Sequence, residues 1–380
     1  MRMVVFLQEV LGKTEVKQVN LSEEVTEFLS GLAAIIGENE FCYWDKSAAL
    51  KEAYREKVKF GFSGIELALN AEELKRILAS ALLKLNAGIN KAKSNGSYHT
   101  YFINEVSEYQ TVGKSIKPLK FVQKPLPLFL EGQVHALRLT KNTSEARALY
   151  GAVKRSELFD KKLKMYKVTA LLSKMPEEIG RCRVFTPGWL ENESIWLHME
   201  YKYLLELLRS GLHEEFYAEF KNTLIPFQKP ERYGRSILEN SSFIVSSAYP
   251  NKKLHGNGYV ARLSGSTAEF LQIWVLMNAG VKPFYLDKES KLVLEFVPKL
   301  AGWLFDRKGN YSFNFLSSVL VTYHNLKRKD TFGKNGVKPL RSTLQGKEGK
   351  AIELSSSIIP SPYAEQVRLR QIKKIDIYLS

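Results

Sequence analysis

The sequence predicts a mainly helical domain over residues 1–279, followed by a β-sandwich-like domain over residues 280–380. Two patterns support this fold class. Before Gly280, apolar residues recur at three- and four-residue spacing in several segments, which indicates helices. After Gly280, apolar and polar residues alternate in short runs bounded by turn residues, which is typical of strands. A length of 380 residues is sufficient for two domains.

The first hundred residues contain the most clearly capped helices. Residues 1–20 have no cap and predict a strand or an irregular edge. Ser22 is predicted to cap a helix ending near Ile36, because three glutamates follow near the positive end of the helix dipole. Asn70 is predicted to cap a second helix with an apolar stripe that faces the core. That stripe consists of Leu74, Ile77, Leu78, Ala81, Leu82 and Leu85.

Residues 97–139 mix aromatic with polar residues and contain three prolines, so we expect strands and irregular chain there. The next helices are predicted from Thr143 to about Lys154, from the region of His198 to Gly211, from His213 to Phe220 and from Ser264 to Asn278. The helix that contains His198 is apolar on nearly every face, which predicts that it is buried. Strands are then predicted at residues 284–286, 291–296, 303–305, 311–315, 319–323 and 367–378, with a long basic loop at 327–350.

The charge of the chain favours anionic partners. Fifty-six basic and 40 acidic residues give a formal net charge of +16. No nucleic-acid-binding motif is present, which disfavours nucleic acid as the partner. No apolar run reaches the roughly 18 residues that a membrane span needs, and no signal-peptide pattern opens the chain. The two cysteines, Cys42 and Cys182, resemble neither a disulfide framework nor a metal site, so we expect a cytoplasmic protein without a bound metal.

Polar residues crowd the start of an apolar helix in the stretch from Phe185 to His198, which reads FTPGWLENESIWLH. Glu191, Asn192 and Glu193 offer acid and amide groups that can bind the hydroxyls of a pyranose. Trp189 or Trp196 offers an apolar face to the same ring. The alternative is a capping box with a core histidine, which needs no ligand.

A second candidate is the run Ser264-Gly265-Ser266-Thr267, which opens the helix to Asn278. Small hydroxyl residues around a glycine expose backbone N–H groups and the positive end of the helix dipole to an anion. An ordinary N-cap is the alternative interpretation.

Together these two stretches resemble the cellobiose phosphorylase-like enzymes, glycoside hydrolase family 94 and its relatives. That family carries a Glu-Asn-Gly-Gly-aromatic-x-His stretch and a later Leu-Thr-Gly-Thr-Ala stretch. Here they read ENESIWLH at 191–198 and LSGSTA at 263–268. Glu193 and Ser194 replace the two glycines, and Ser264 and Ser266 replace threonines. The resemblance covers about Arg183 to Phe305.

The resemblance implies the later part of an (α/α)6 barrel followed by a C-terminal β-domain. It also implies that His198, Ser264 and Gly265 bind inorganic phosphate, and Ser266 and Arg262 fit the same role. Phosphate would then be the co-substrate in an inverting displacement, with no other cofactor. Because phosphate is itself a nucleophile, one carboxylic acid would suffice, where an inverting hydrolase needs an acid and a base.

The resemblance implies that the acid of the reaction is an aspartate upstream of His198, in a Trp-Asn-Asp setting. This chain lacks that setting. Asp45, in the sequence Tyr-Trp-Asp, is the candidate. Its alternative role is the N-cap of a helix from Ser47 to Lys57.

Three functions follow from this reading. The first is a glycoside phosphorylase, or its C-terminal fragment, acting on β-linked gluco-oligosaccharides. The second is an inverting hydrolase on the same scaffold, with Glu191 or Glu193 as base. The third is a non-catalytic carbohydrate-binding remnant or partner subunit. The predicted helices are too few to close a barrel, so we expect a separate chain to supply the N-terminal half.

Overall fold

The computed structural model describes residues 1–261, 264–346 and 351–380, apart from the side chains of residues 261 and 264. Contacts within the chain divide it into two compact units, Met1–Leu126 and Pro127–Ser380. Both units contain helices and strands, and the sheets formed by the described residues are open. The predicted domain boundary near residue 279 stays a prediction.

The first unit consists of helices, short strands and one long β-hairpin. Its elements are α1 (Arg2–Lys13), β1 (Gln18–Ser22), α2 (Glu23–Ile35), α3 (Glu40–Lys57), β2 (Glu66–Asn70), α4 (Ala71–Ala92), β3 (Lys93–Ser94), β4 (Ser97–Tyr98), β5 (Phe102–Val112) and β6 (Ser115–Pro125). Strands β1 and β2 pair antiparallel, as do β5 and β6. The Asn70 side chain accepts from the backbone N–H groups of Glu72 and Glu73, which confirms the predicted cap.

The second unit begins with helices. They are α5 (Leu130–Leu137), α6 (Thr143–Arg155), α7 (Leu197–Arg209), α8 (His213–Thr223), the single turn α9 (Pro230–Tyr233) and α10 (Ser264–Asn278). Short strands lie between them: β7 (Phe159–Asp160), β8 (Met165–Tyr166), β9 (Ile195–Trp196), β10 (Ser241–Ile244) and β11 (Gly258–Ala261). Helix α7 packs against α5, α8 and α10. Nine of its side chains are buried, including Tyr201, Leu204 and Leu208, so its predicted burial is confirmed.

Two sheets follow helix α10. The strands are β12 (Phe284–Leu286), β13 (Leu292–Glu295), β14 (Asn310–Phe315), β15 (Val319–His324), β16 (Pro339–Gly346), β17 (Ala351–Leu354), β18 (Ile358–Ile359) and β19 (Ile372–Leu379), with α11 (Tyr363–Arg368) before the last strand. One sheet has the order β12-β13-β18, and the other has the order β14-β15-β19-β16-β17. Phe315 joins the two sheets, because its ring lies 5.9 Å from Phe284 and 5.1 Å from Phe296.

The structure corrects four predicted segments. Residues 2–13 and 130–137 are helices, in which Leu7 and Leu11 of α1, and Leu130 and Val134 of α5, recur at helical spacing. Residues 302–304 form a 3-10 turn where a strand was predicted. The predicted loop after Lys327 contains strand β16, which pairs with β17 and β19 and buries Ser342 and Leu344.

The described residues include no helix with the length and apolar character to cross a membrane.

Candidate functional site

Residues 185–194, called the motif loop here, fold tightly against strands β10 and β11. Gly188 has φ +85°, and a Cβ at this position would lie 2.4 Å from the backbone nitrogen of Tyr249. Only glycine fits such an approach. The Gly188 N–H donates to the Asn192 carbonyl at 2.8 Å, which closes the loop over residues 188–192. The sequence therefore folds this segment into a fixed hairpin-like turn that presents its side chains to both sides.

Asn192 is fully buried and its amide is committed to the protein. Its Nδ2 donates to Ser173 Oγ at 3.0 Å and to the Phe185 carbonyl at 2.7 Å, while its Oδ1 accepts from the Leu172 N–H at 3.0 Å. Both N–H groups and the carbonyl thus have protein partners. The structure gives Asn192 the role of holding the motif loop in place, and it leaves no free N–H for a sugar hydroxyl.

Glu193 adopts the left-handed conformation, with φ +59°. In the phosphorylase motif that this stretch resembles, the position carries the first of two glycines, the residue that adopts this conformation without strain. The Glu193 carboxylate pairs with Lys167 Nζ at 2.6 Å, and both side chains are largely buried. The two residues line a cavity of about 660 Å³. Its other described lining residues are Arg155, Ser156, Glu157, Phe159, Asp160, Lys161, Lys162, Leu171, Ser247 and Ala248.

The cavity lining among the described residues does not include Trp189, Glu191 or His198. The structure therefore separates Glu193 from the other predicted sugar-binding residues. Glu193 faces a cavity rich in lysine, while Trp189 faces an aromatic cluster.

Trp189 is half-buried, and its ring packs edge-on against Phe243 at 5.1 Å and Tyr259 at 4.7 Å. Trp196 stacks on the same Phe243, and its indole N–H donates to the Leu190 carbonyl at 2.9 Å. Both tryptophans thus anchor the motif loop to strands β10 and β11. Only the part of the Trp189 ring that remains exposed is open to a ligand.

Glu191 has one carboxylate oxygen without a hydrogen-bond partner among the described residues. Its Oε1 lies 3.6 Å from a guanidinium nitrogen of Arg181. Its Oε2 is buried and has no hydrogen-bond partner among the described residues. A buried carboxylate oxygen without a donor costs free energy, so a donor supplied by a ligand would be stabilised there.

His198 and Gly265, predicted to share one site from two distant motifs, are in contact. A Cβ added to Gly265 would lie 2.6 Å from Nδ1 and 2.7 Å from Cγ of the His198 ring. The ring can approach the first turn of α10 this closely because residue 265 has no side chain. His198 remains about one-third exposed. Ser266 in the same turn is fully buried.

Glu269 completes this contact and was not found from the sequence. Its Oε1 lies 3.6 Å from His198 Nε2, and its Oε2 accepts from Gln272 at 3.3 Å. Gln272 in turn accepts from Arg209 at 2.7 Å. Glu269 lies four residues after Gly265, so the helical period places both on one face of α10 and provides the signal that could have identified it.

Two buried carboxyl groups, Glu200 of α7 and Glu219 of α8, were also not found from the sequence. Glu200 accepts from the Tyr166 N–H at 2.8 Å and from Thr223 at 3.2 Å, and burial raises its pKa to about 8. Glu219 accepts from Tyr150 at 2.6 Å and from Lys154 at 2.5 Å. The second oxygen of each carboxyl group has no hydrogen-bond partner among the described residues. These groups belong to the core between α6, α7 and α8.

The positions of three predicted site residues relative to the contact between His198 and Gly265 are not described. Arg262 lies outside the described residues, as does the side chain of Ser264. Asp45 belongs to the first unit, where it lies inside α3, so its role as the acid stays a prediction. The alternative interpretation of Asp45 as an N-cap is wrong. The helix begins earlier, at Glu40, because the Asn39 side chain caps it by accepting from the Cys42 N–H at 3.0 Å.

Comparison with protein-family models gave no match, and comparison with curated proteins gave none either.

Proposed function

We propose that this chain is a glycoside phosphorylase, or the C-terminal portion of one. In this proposal it cleaves β-linked gluco-oligosaccharides with inorganic phosphate and releases a sugar 1-phosphate by inversion. The second unit would be the later part of an (α/α)6 barrel with a C-terminal β-sandwich. The proposal rests on the sequence resemblance together with one contact, that between His198 and Gly265.

The contact supports a phosphate site because it joins two different kinds of anion-binding group. Helix α10 has 15 residues, and the positive end of its dipole lies at the first turn, which contains Gly265. A protonated His198 would add a full positive charge beside it. Helix starts of this kind bind phosphate in many proteins.

Glu269 orients the His198 ring in this proposal. Its carboxylate faces Nε2, so the ring is held between Glu269 and Gly265 on a single helix. A histidine oriented by a carboxylate in this way is pre-organised, which lowers the entropy that phosphate binding must offset. We therefore assign Glu269 to positioning His198.

The sugar would lie on the motif-loop side. Glu191 Oε2 can accept from a sugar hydroxyl, and the exposed part of Trp189 can cover an apolar face of the ring. In the reaction, phosphate attacks the anomeric carbon while an acid protonates the departing glycosidic oxygen. Attack opposite a β-linkage gives the α-anomer of the sugar phosphate. Asp45 is the predicted acid.

A direct assay tests this function. Purified chain is incubated with β-linked gluco-oligosaccharides with and without phosphate, and the products are separated. Formation of sugar 1-phosphate only when phosphate is present supports the proposal. Phosphorolysis that is unchanged in His198→Ala would contradict the phosphate site.

The free oxygen of Glu191 favours a second candidate, an inverting hydrolase in which Glu191 activates water. In that case the same assay gives free sugar at equal rates with and without phosphate, and Glu191→Gln abolishes the activity. Glycan binding with neither product would leave the carbohydrate-binding function.

A further inference from the structure

The first unit contains a cavity of about 870 Å³ that the proposed function does not use. Helix α3, the end of α4 and the β5-β6 hairpin form its walls. Its described lining residues are Asn39, Glu40, Phe41, Trp44, Lys91, Asn104, Pro118, Lys120, Phe121 and Gln123. The volume falls within the range of about 300–1,000 Å³ that is typical of small-molecule sites.

Aromatic rings form one side of this cavity. Trp44 is 50% exposed, although it is the largest apolar side chain of its helix. Its ring lies 5.3 Å from that of Phe121, edge to face, and 6.3 Å from that of Phe41. The two phenylalanines lie 5.7 Å apart. Trp44 is thus held against neighbouring rings, lines the cavity and keeps half of its surface exposed.

Two amide side chains of the β5-β6 hairpin also line the cavity. Gln123 Nε2 donates to Asn104 Oδ1 at 2.9 Å across the β5-β6 pair, which holds both amides in position. Each Asn or Gln amide has two N–H donors and one carbonyl acceptor. This single bond therefore leaves donors on Asn104 and an acceptor on Gln123 for a ligand.

The charged residues of the cavity are paired with one another or with their neighbours. Lys91 contacts Glu40 at 2.6 Å, and Lys120 contacts Glu108 at 3.0 Å. These pairs neutralise the rim, so the cavity offers little net attraction to an anion or a cation. Its chemistry suits a neutral ligand with many hydroxyl groups and one apolar face.

We propose that this cavity binds a neutral saccharide, separately from the phosphate site. The weakly positive C–H groups on one face of a pyranose would lie on the Trp44 ring, whose π-face is negative. The hydroxyl groups would exchange hydrogen bonds with Asn104 and Gln123. This site would hold a glycan chain without acting on it, and it does not depend on the proposed function.

Tryptophan fluorescence tests the site, because Trp44 is the one tryptophan among residues 1–126 and the other four lie later in the chain. The full chain is titrated with soluble β-1,4-, β-1,3- and α-1,4-glucan, xylan and mannan oligosaccharides. The Trp44 signal is obtained as the difference between the natural chain and Trp44→Phe. We expect at least one glycan to change this signal in a saturable way.

Variants of the amide and the aromatic residues of the cavity distinguish binding at this site from glycan binding elsewhere on the chain. Asn104→Ala and Trp44→Ala should each weaken binding by tenfold or more, as measured by calorimetry. Phe60→Ala, which alters a 95% exposed ring elsewhere in the same unit, should leave binding unchanged. The proposal is overturned if no glycan alters the Trp44 signal up to about 10 mM. It is equally overturned if Asn104→Ala, which removes an exposed side chain and its hydrogen bond to Gln123, binds like the natural protein.

Discussion

At the scale of single residues, the close approach of His198 to helix α10 depends on a missing atom. Gly265 has no Cβ, and any side chain at this position would overlap the imidazole ring. Alanine is the more stable residue in a helix, by about 0.5–1 kcal/mol at a mid-helix position. At residue 265 the glycine gives up part of this stability, and its missing side chain leaves room for the His198 ring.

Gly265→Ala should separate these two effects. We expect the added methyl group to displace the His198 ring and to raise the phosphate concentration needed for half-maximal rate by tenfold or more. Gly88→Ala is the matched control, because Gly88 is a helical glycine of α4 with open space where its Cβ would be. It should stabilise the fold and leave phosphate binding unaltered. An unchanged phosphate dependence in Gly265→Ala would show that the contact has no part in the site.

Asn192→Ala should act on stability. The substitution removes the partner of the buried Leu172 N–H and of the partly buried Ser173 hydroxyl and Phe185 carbonyl, which predicts a loss of about 2–4 kcal/mol in the free energy of unfolding. Chemical denaturation measures it, with the exposed Asn314→Ala as control, expected within about 0.5 kcal/mol of the natural chain. A stable Asn192→Ala chain that has lost only glycan binding would restore the sugar-contact role predicted from the sequence.

At the scale of elements, helix α7 is buried almost all round, and it carries Glu200 into the core. Burial raises the pKa of this carboxyl to about 8, so the folded chain holds a proton that the unfolded chain releases above about 4.5. The folded state binds more protons in this range. The contribution of Glu200 to the stability of the fold should therefore be greatest below pH 4.5 and fall as the pH rises towards 8.

The stability of Glu200→Gln should vary less with pH. His213 has its pKa lowered to about 4 by burial, so its own opposite effect ends near pH 6.5. Between pH 6.5 and 8 the natural chain should lose stability by at most about 1.4 kcal/mol per pH unit. Glu200→Gln should remove this slope, whereas the exposed Glu289→Gln should keep it. Equal slopes in all three chains would mean that Glu200 is charged in the fold.

Elements with a cap and a helical stripe were predictable, and those defined by distant partners were not. Asn70 marks the start of α4 through its own side chain, so local sequence suffices there. Strand β16 forms because β17 and β19 pair with it from either side, which no local pattern encodes. The same limit applies to the site. The motifs of His198 and Gly265 were each recognisable in the sequence. Glu269 could not be recognised in the same way, because it approaches His198 only when α7 and α10 pack together.

At the scale of the whole molecule, the net charge of +16 creates a field that attracts anions. Salt screens this field over a distance of about 10 Å at 0.1 M ionic strength. Raising the salt concentration from about 0.05 M to about 0.5 M should therefore weaken phosphate binding. Binding of neutral oligosaccharides, measured in parallel, should change little. Equal salt dependence for both ligands would argue against an electrostatic phosphate site.

Binding of inorganic phosphate to the full chain tests the central claim most directly, because it requires neither the acid nor the correct sugar. Calorimetry should show that His198→Ala weakens phosphate binding by at least tenfold, about 1.4 kcal/mol. His135→Ala, which alters an exposed histidine of α5, should bind as the natural chain does. Phosphate binding that is the same in His198→Ala as in the natural chain would contradict the account.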